Sequence, residues 1–92
     1  MKHIVMWKLK NKEEDAVKIK ERLEGLKEKI DVIESIEVGI NVEKSGSSYD
    51  VVLVSEFKSQ KELDEYQNNP LHIDVAKFIK GAALDRIVVD YE

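Results

Sequence analysis

The chain has 92 residues, 42% of them hydrophobic and 37% charged, a composition for one folded domain over residues 1–92 with a single core, and not for a disordered chain. Its net charge of −4, with lysines interleaved among acids, argues against a nucleic-acid partner. It contains no cysteine, which excludes disulfides, thiolate metal sites and a Cys nucleophile, and no apolar run has the length of a membrane span or a signal-peptide core; the expectation is a cytoplasmic protein with no membrane partner.

In chain order, His3 to Leu9 is predicted as a strand with His3, Val5, Trp7 and Leu9 on one face and Ile4, Met6 and Lys8 on the other. Both faces are largely apolar, so the strand needs cover on both sides. Asn11 followed by Glu14 marks a helix start. Ala16, Ile19, Leu23, Leu26 and Ile30 then recur at helical spacing, with Val17 widening the stripe and Gly25 inside the helix. Ser35 to Glu43 alternates, with Ile36, Val38, Ile40 and Val42 inward, as at a sheet edge.

A hairpin loop over residues 44–48 leads to a strand from Tyr49 to Phe57, apolar on both faces through Val51, Val52, Leu53 and Val54. Ser59 and Glu62 form a capping box before a short helix carrying Leu63 and Tyr66. Leu71, Val75, Phe78 and Ile79 make the stripe of a further helix, capped by Gly81. Arg86 to Glu92 is the last strand, with Ile87, Val89 and Tyr91 on one face and Val88 and Asp90 on the other.

Between the last two helices lies the stretch Tyr66-Gln67-Asn68-Asn69-Pro70-Leu71-His72, which holds the only proline and one of the two histidines. Proline fixes its own φ and turns the preceding residue out of the α region, so Asn69 can cap a new helix with Pro70 at its first position. This elbow presents a phenol and an imidazole from neighbouring turns, the side-chain types that move a proton near neutral pH. The plainer reading is that Tyr66 packs and His72 only begins a helix.

The order β-α-β-β-α-β, with its first and third strands apolar on both faces, specifies an α+β ferredoxin-like subunit with an antiparallel sheet. Helices cover one face. Ile4, Met6, Val52, Val54 and Val88 are expected on the other, for which no chain remains. A two-fold homodimer packing sheet on sheet, a dimeric α/β barrel, meets that need.

His3-Ile4-Val5-Met6-Trp7-Lys8-Leu9-Lys10, Val54-Ser55-Glu56-Phe57, Tyr66 with Asn69-Pro70-Leu71-His72, and Val88-Val89-Asp90-Tyr91 together resemble the stress-responsive dimeric α/β-barrel (Dabb) family over nearly the whole chain. The resemblance implies a homodimer of ferredoxin-like subunits. A polyketide cyclase of that family condenses its substrate with a tyrosine and a histidine similar to Tyr66 and His72, and has a further pocket histidine similar to His3. This chain departs from it at Val51, where the cyclase has histidine, in the small, aliphatic and charged residues of its first helix, and at Asn69, where the family often has histidine. Some members bind a magnesium ion through backbone carbonyls near the end of the first helix, which here implies the carbonyls of Ile30, Ile33 and Ile36; no other cofactor is expected.

For a pocket between the helices and the sheet, the floor is expected from His3, Val5, Trp7, Val51, Leu53 and Phe57, with Tyr66 and His72 reaching it from the elbow. In a catalytic reading, neutral His72 takes a proton next to a carbonyl and the Tyr66 hydroxyl donates to the developing oxyanion. Arg86 and Asp90 read as ordinary strand-end charges, and His3 as a histidine satisfied locally. Three functions stand open: a stress-response-type barrel protein binding a small, mostly apolar or carbonyl-containing ligand; an enzyme of the polyketide cyclase (aldol) or cofactor-free monooxygenase kind; or a purely structural or protective protein. A cleft filled by Leu63, Phe78 and Trp7 points to the last, and an open cleft with Tyr66 facing His72 points to an enzyme.

Overall fold

The structure, a computed structural model, describes residues 1–43, 45–46 and 48–92; of the predicted hairpin loop, Lys44 and Ser47 lie outside the described residues. Strand β1 (Lys2–Leu9) is followed by α1 (Lys12–Glu24), β2 (Ser35–Ile40), β3 (Val51–Glu56), α2 (Gln60–Asn68), α3 (Pro70–Ala82) and β4 (Ala83–Tyr91). Asn11 caps α1 as its spacing predicts: its Oδ1 accepts the Glu14 N–H at 3.2 Å and its amide donates back to Glu14 Oε2 at 3.1 Å. Ala16, Ile19, Leu23, Leu26 and Ile30 are all buried, but not along one helix. α1 stops at Glu24, and Gly25–Glu28 tightens into a 3-10 turn. Gly25 therefore ends the helix instead of lying within it, as the weak helix propensity of glycine favours. Val17, expected to widen the stripe, is 53% exposed.

β2 also stops earlier than alternation implies. Asn41 donates its amide to the Tyr49 carbonyl at 2.6 Å and accepts the Glu43 N–H at 2.8 Å, a local turn that diverts the chain from the ladder. Val42, predicted inward, is 92% exposed. Before α2 the Ser59 hydroxyl bonds directly to the Glu62 carboxylate, and the Ser59 side chain caps no backbone N–H; the two side chains of the predicted capping box bond each other in place of the reciprocal backbone bonds. Gly81 lies inside α3, which runs to Ala82 and passes straight into β4, so no glycine cap ends this helix.

The sheet is antiparallel in the order β2-β3-β1-β4. Paired residues share a face, so the register lays three rows across the helix-covered side. Ile36, Ser55, His3 and Asp90 form the first row; Val38, Leu53, Val5 and Val88 the second; Ile40, Val51, Trp7 and Arg86 the third. Val88 thus faces the helices, opposite Val5, and not the bare side predicted for it. The reason is register: alternation shows that Val88 and Asp90 share a face, while only the pairing with β1 shows which. The bare face carries Ile4, Met6, Val52 and Val54, joined by Ile87 and Val89.

A bulge after Lys8, which leaves Leu84 without a partner between Ala83 and Asp85, bends β4 at its junction with α3. The core is sealed where α1 lies over β2, β3 and β1. Toward β4 the helical layer thins, and every residue from Leu84 to Tyr91 is exposed.

Candidate functional site

The elbow forms as its sequence predicts. Asn69 is extended (φ −68°, ψ 132°), its side-chain oxygen accepts the Leu71 N–H at 2.9 Å, and Pro70 opens α3. Tyr66 on the last turn of α2 and His72 on the first turn of α3 are thereby brought together, with ring centroids 4.4 Å apart and planes inclined at 49°. His72 Nδ1–H donates to the Gln67 carbonyl at 3.1 Å across the break. That bond fixes the tautomer and leaves Nε2 without a proton. Burial holds the His72 imidazole below its ordinary pKa; the Gln67 carbonyl pulls the other way, and the charges of His3 and Arg86 add to the lowering. His72 is therefore a neutral base at pH 7.

Tyr66 is fully buried, packed on Phe57 at 5.0 Å between centroids and meeting the His3 ring edge-on at 6.4 Å. Burial pushes its hydroxyl well above the usual phenol range, so it keeps its proton and can only donate or accept a hydrogen bond. Among the described residues that hydroxyl has no partner. A buried polar group left alone costs about 1–3 kcal/mol, and such orphans in folded proteins mark a missing water, ion or ligand.

His3 is buried next to Tyr66. Its Nδ1–H donates to Asp90 Oδ1 at 2.5 Å, and its carbonyl accepts the Ser55 hydroxyl at 3.1 Å. The Asp90 carboxylate orients the ring. Asp90 is thus a partner that the reading as a strand-end charge missed.

A pocket of about 510 Å³ opens between α3 and the β1–β4 half of the sheet. Of the predicted floor, His3, Val5, Trp7 and Leu53 line it, and His72 stands in its wall. Val51 and Phe57 do not: Val51 borders a smaller hollow with Met6 and Tyr49, and Phe57 is buried beneath Tyr66. Tyr66 lies behind His72 and is not part of the lining. The structure adds Ala76, Ile79 and Lys80, which share the His72 face of α3, and Arg86 from β4. The spacing of 72, 76, 79 and 80 was available as a signal: it is a helical face with a small alanine at its centre. Among the described residues no cluster of three or more His, Asp or Glu side chains could hold a metal ion.

A four-stranded antiparallel sheet under three helices, with a mostly apolar pocket beneath the last of them, defines an α+β protein of ferredoxin-like fold. Residues 1–92 match the stress responsive A/B barrel domain, and the chain belongs to that family. It is similar to a dimeric protein of unknown function and ferredoxin-like fold from Bacteroides fragilis, with 35% identity, a TM-score of 0.89, and coverage of 99% of this chain and 93% of that one. A hydroxynitrile lyase from Passiflora edulis is similar in fold at 17% identity and a TM-score of 0.84, covering 98% of this chain and 89% of that one. An antibiotic biosynthesis monooxygenase is likewise similar in fold at 16% identity and a TM-score of 0.81, covering 99% of this chain and 95% of that one. No curated protein matches the chain. No helix among the described residues is long and apolar enough to cross a membrane.

Proposed function

We propose that this protein is a homodimer in which each subunit binds a small, mostly apolar carbonyl compound in the α3–β4 pocket and moves a proton on the carbon next to the carbonyl. The observation that carries this reading is the placing of a neutral imidazole, His72, in the pocket wall, backed by a buried Tyr66 hydroxyl with no partner among the described residues. His72 Nε2 takes the proton from carbon, and the electron pair moves onto the carbonyl oxygen. Through a bridging water the buried Tyr66 hydroxyl donates toward that oxygen, His72 exchanges the proton with solvent, and a solvent-derived proton returns to the carbon as the electron pair moves back from the oxygen. The apolar walls from Val5, Trp7 and Leu53 keep water from levelling the difference between base and donor.

Dimerisation is supported by the bare sheet face, where Met6 and Ile87 are more than a third exposed and Val89 more than half, and by the dimeric relative from Bacteroides fragilis. A magnesium ion on the carbonyls of Ile30, Ile33 and Ile36 would hold the turn after α1 and no more. The Ile30 carbonyl there already accepts the Ile33 N–H at 3.3 Å, keeping one lone pair for a cation, and none of the three residues lines the pocket.

A second reading, ligand binding without chemistry, is favoured by the absence of Tyr66 from the lining. The two separate in D2O. With 4-phenylbutan-2-one, deuterium enters the carbons next to the carbonyl faster than in buffer, and His72→Ala removes the acceleration. Binding of the ketone with no acceleration supports the second reading and overturns the first.

A further inference from the structure

Resting on the reading of the α3–β4 pocket as a site for a small apolar compound, we propose that its ligand is a carboxylic acid, held by Arg86 and Lys80 at the pocket mouth with its apolar body on Val5, Trp7 and Leu53. Arg86 stands opposite Trp7 on the helix side of the edge strand β4, and Lys80 lies two turns beyond His72 on the same face of α3. Neither side chain has an ion pair or a hydrogen bond with any described residue. Elsewhere the chain is acidic, with a net charge of −4, so two unpaired cations at one mouth run against the charge of the whole.

The acid nearest to them does not cancel them. Asp85 borders the same pocket but is paired with Lys8 on β1, and its carboxylate is engaged by the Tyr49 hydroxyl and the Arg86 backbone N–H, not by the Arg86 or Lys80 side chain. Asp90 is taken up by His3. Arg86 offers a planar fork that matches a carboxylate, and Lys80 a mobile point charge beside it. Val5, Trp7, Leu23, Leu53 and Ile79 give the lining an apolar body that suits hydrocarbon. His3, His72, Gln67 and Asp85 are its other polar members. A headgroup at the mouth would direct the rest of the molecule inward toward His72.

Calorimetric titration of the whole protein with 4-phenylbutyrate and with its uncharged amide, 4-phenylbutyramide, tests this. The acid is expected to bind roughly tenfold more tightly than the amide, with added salt weakening the acid alone. Arg86→Gln, an exposed edge-strand change, should abolish the preference and leave the amide's affinity unchanged. Equal binding of acid and amide to the unaltered protein, or a preference untouched by both salt and Arg86→Gln, overturns the carboxylate proposal while the pocket reading stands. Failure of both compounds to bind overturns the pocket reading and this proposal with it.

Discussion

One row of the sheet passes from a sealed region to an open one. Val38, Leu53 and Val5 are 1%, 2% and 1% exposed, and Val88, the fourth member of the row, is 44% exposed. All four residues are apolar and three are valine, so the difference lies in what stands above them. α1 lies over β2 and β3 with Ile19 and Leu23 buried against the sheet. α3 stands off from β4 and leaves the pocket. The other rows change in the same direction: Ile36 gives way to Asp90 and Ile40 to Arg86. The fold invests its packing at one side and keeps its polar, titratable groups at the other, where a ligand can reach them.

That contrast predicts unequal costs. Leu53→Ala in the sealed row should lower stability by about 2–5 kcal/mol, whereas Val88→Ala should change it by less than about 0.5 kcal/mol, both read from urea unfolding. Similar losses at the two positions would show that α3 closes over β4 in solution. On the opposite face, Val52→Asp places a charge amid apolar residues and should convert the dimer to a monomer; an unchanged mass in sedimentation would contradict the proposed interface.

At the open side the effects fall on function. His72→Ala should lower proton exchange by about 10²–10⁴-fold with little change in melting temperature. Tyr66→Phe should slow exchange as well while leaving stability unchanged or raising it by up to about 1 kcal/mol, since it removes a buried hydroxyl without a partner among the described residues. A clear loss of stability in Tyr66→Phe would mean that the hydroxyl has a structural bond.

How much of this was legible follows the same division. The Asn11 cap, the Asn69–Pro70 elbow and the face shared by His3, Val5 and Trp7 are local patterns, and the chain forms them as written. The end of α1 at Gly25 and the turn at Asn41 were less so, because propensity and a side-chain turn there outweigh an apolar stripe that continues past them. Asp90, Arg86 and Val88 needed the β1–β4 register, which pairs residues at least 74 positions apart and leaves no trace in the spacing along either strand. An acid alternating with valine on a face turned to the core was the available hint that Asp90 has a partner.

The smallest predicted effect is a dependence on pH. In the unfolded chain His72 takes up a proton as the pH falls through about 6.5, whereas the folded protein holds the imidazole neutral to a lower value. Stability from this group is therefore complete above pH 6.5, declines as the pH drops from there to the folded value, and is constant below it. A melting temperature rising on acidification over that window would reverse the sign and refute the neutral base.

The imidazole itself reports most directly. In a long-range proton–nitrogen NMR spectrum at pH 7, His72 is expected with its proton on Nδ1 and a bare Nε2 whose signal shifts when 4-phenylbutyrate is added. A doubly protonated ring at that pH, or an Nε2 signal indifferent to a ligand that calorimetry shows to be bound, would contradict the placing of a free base in the α3–β4 pocket.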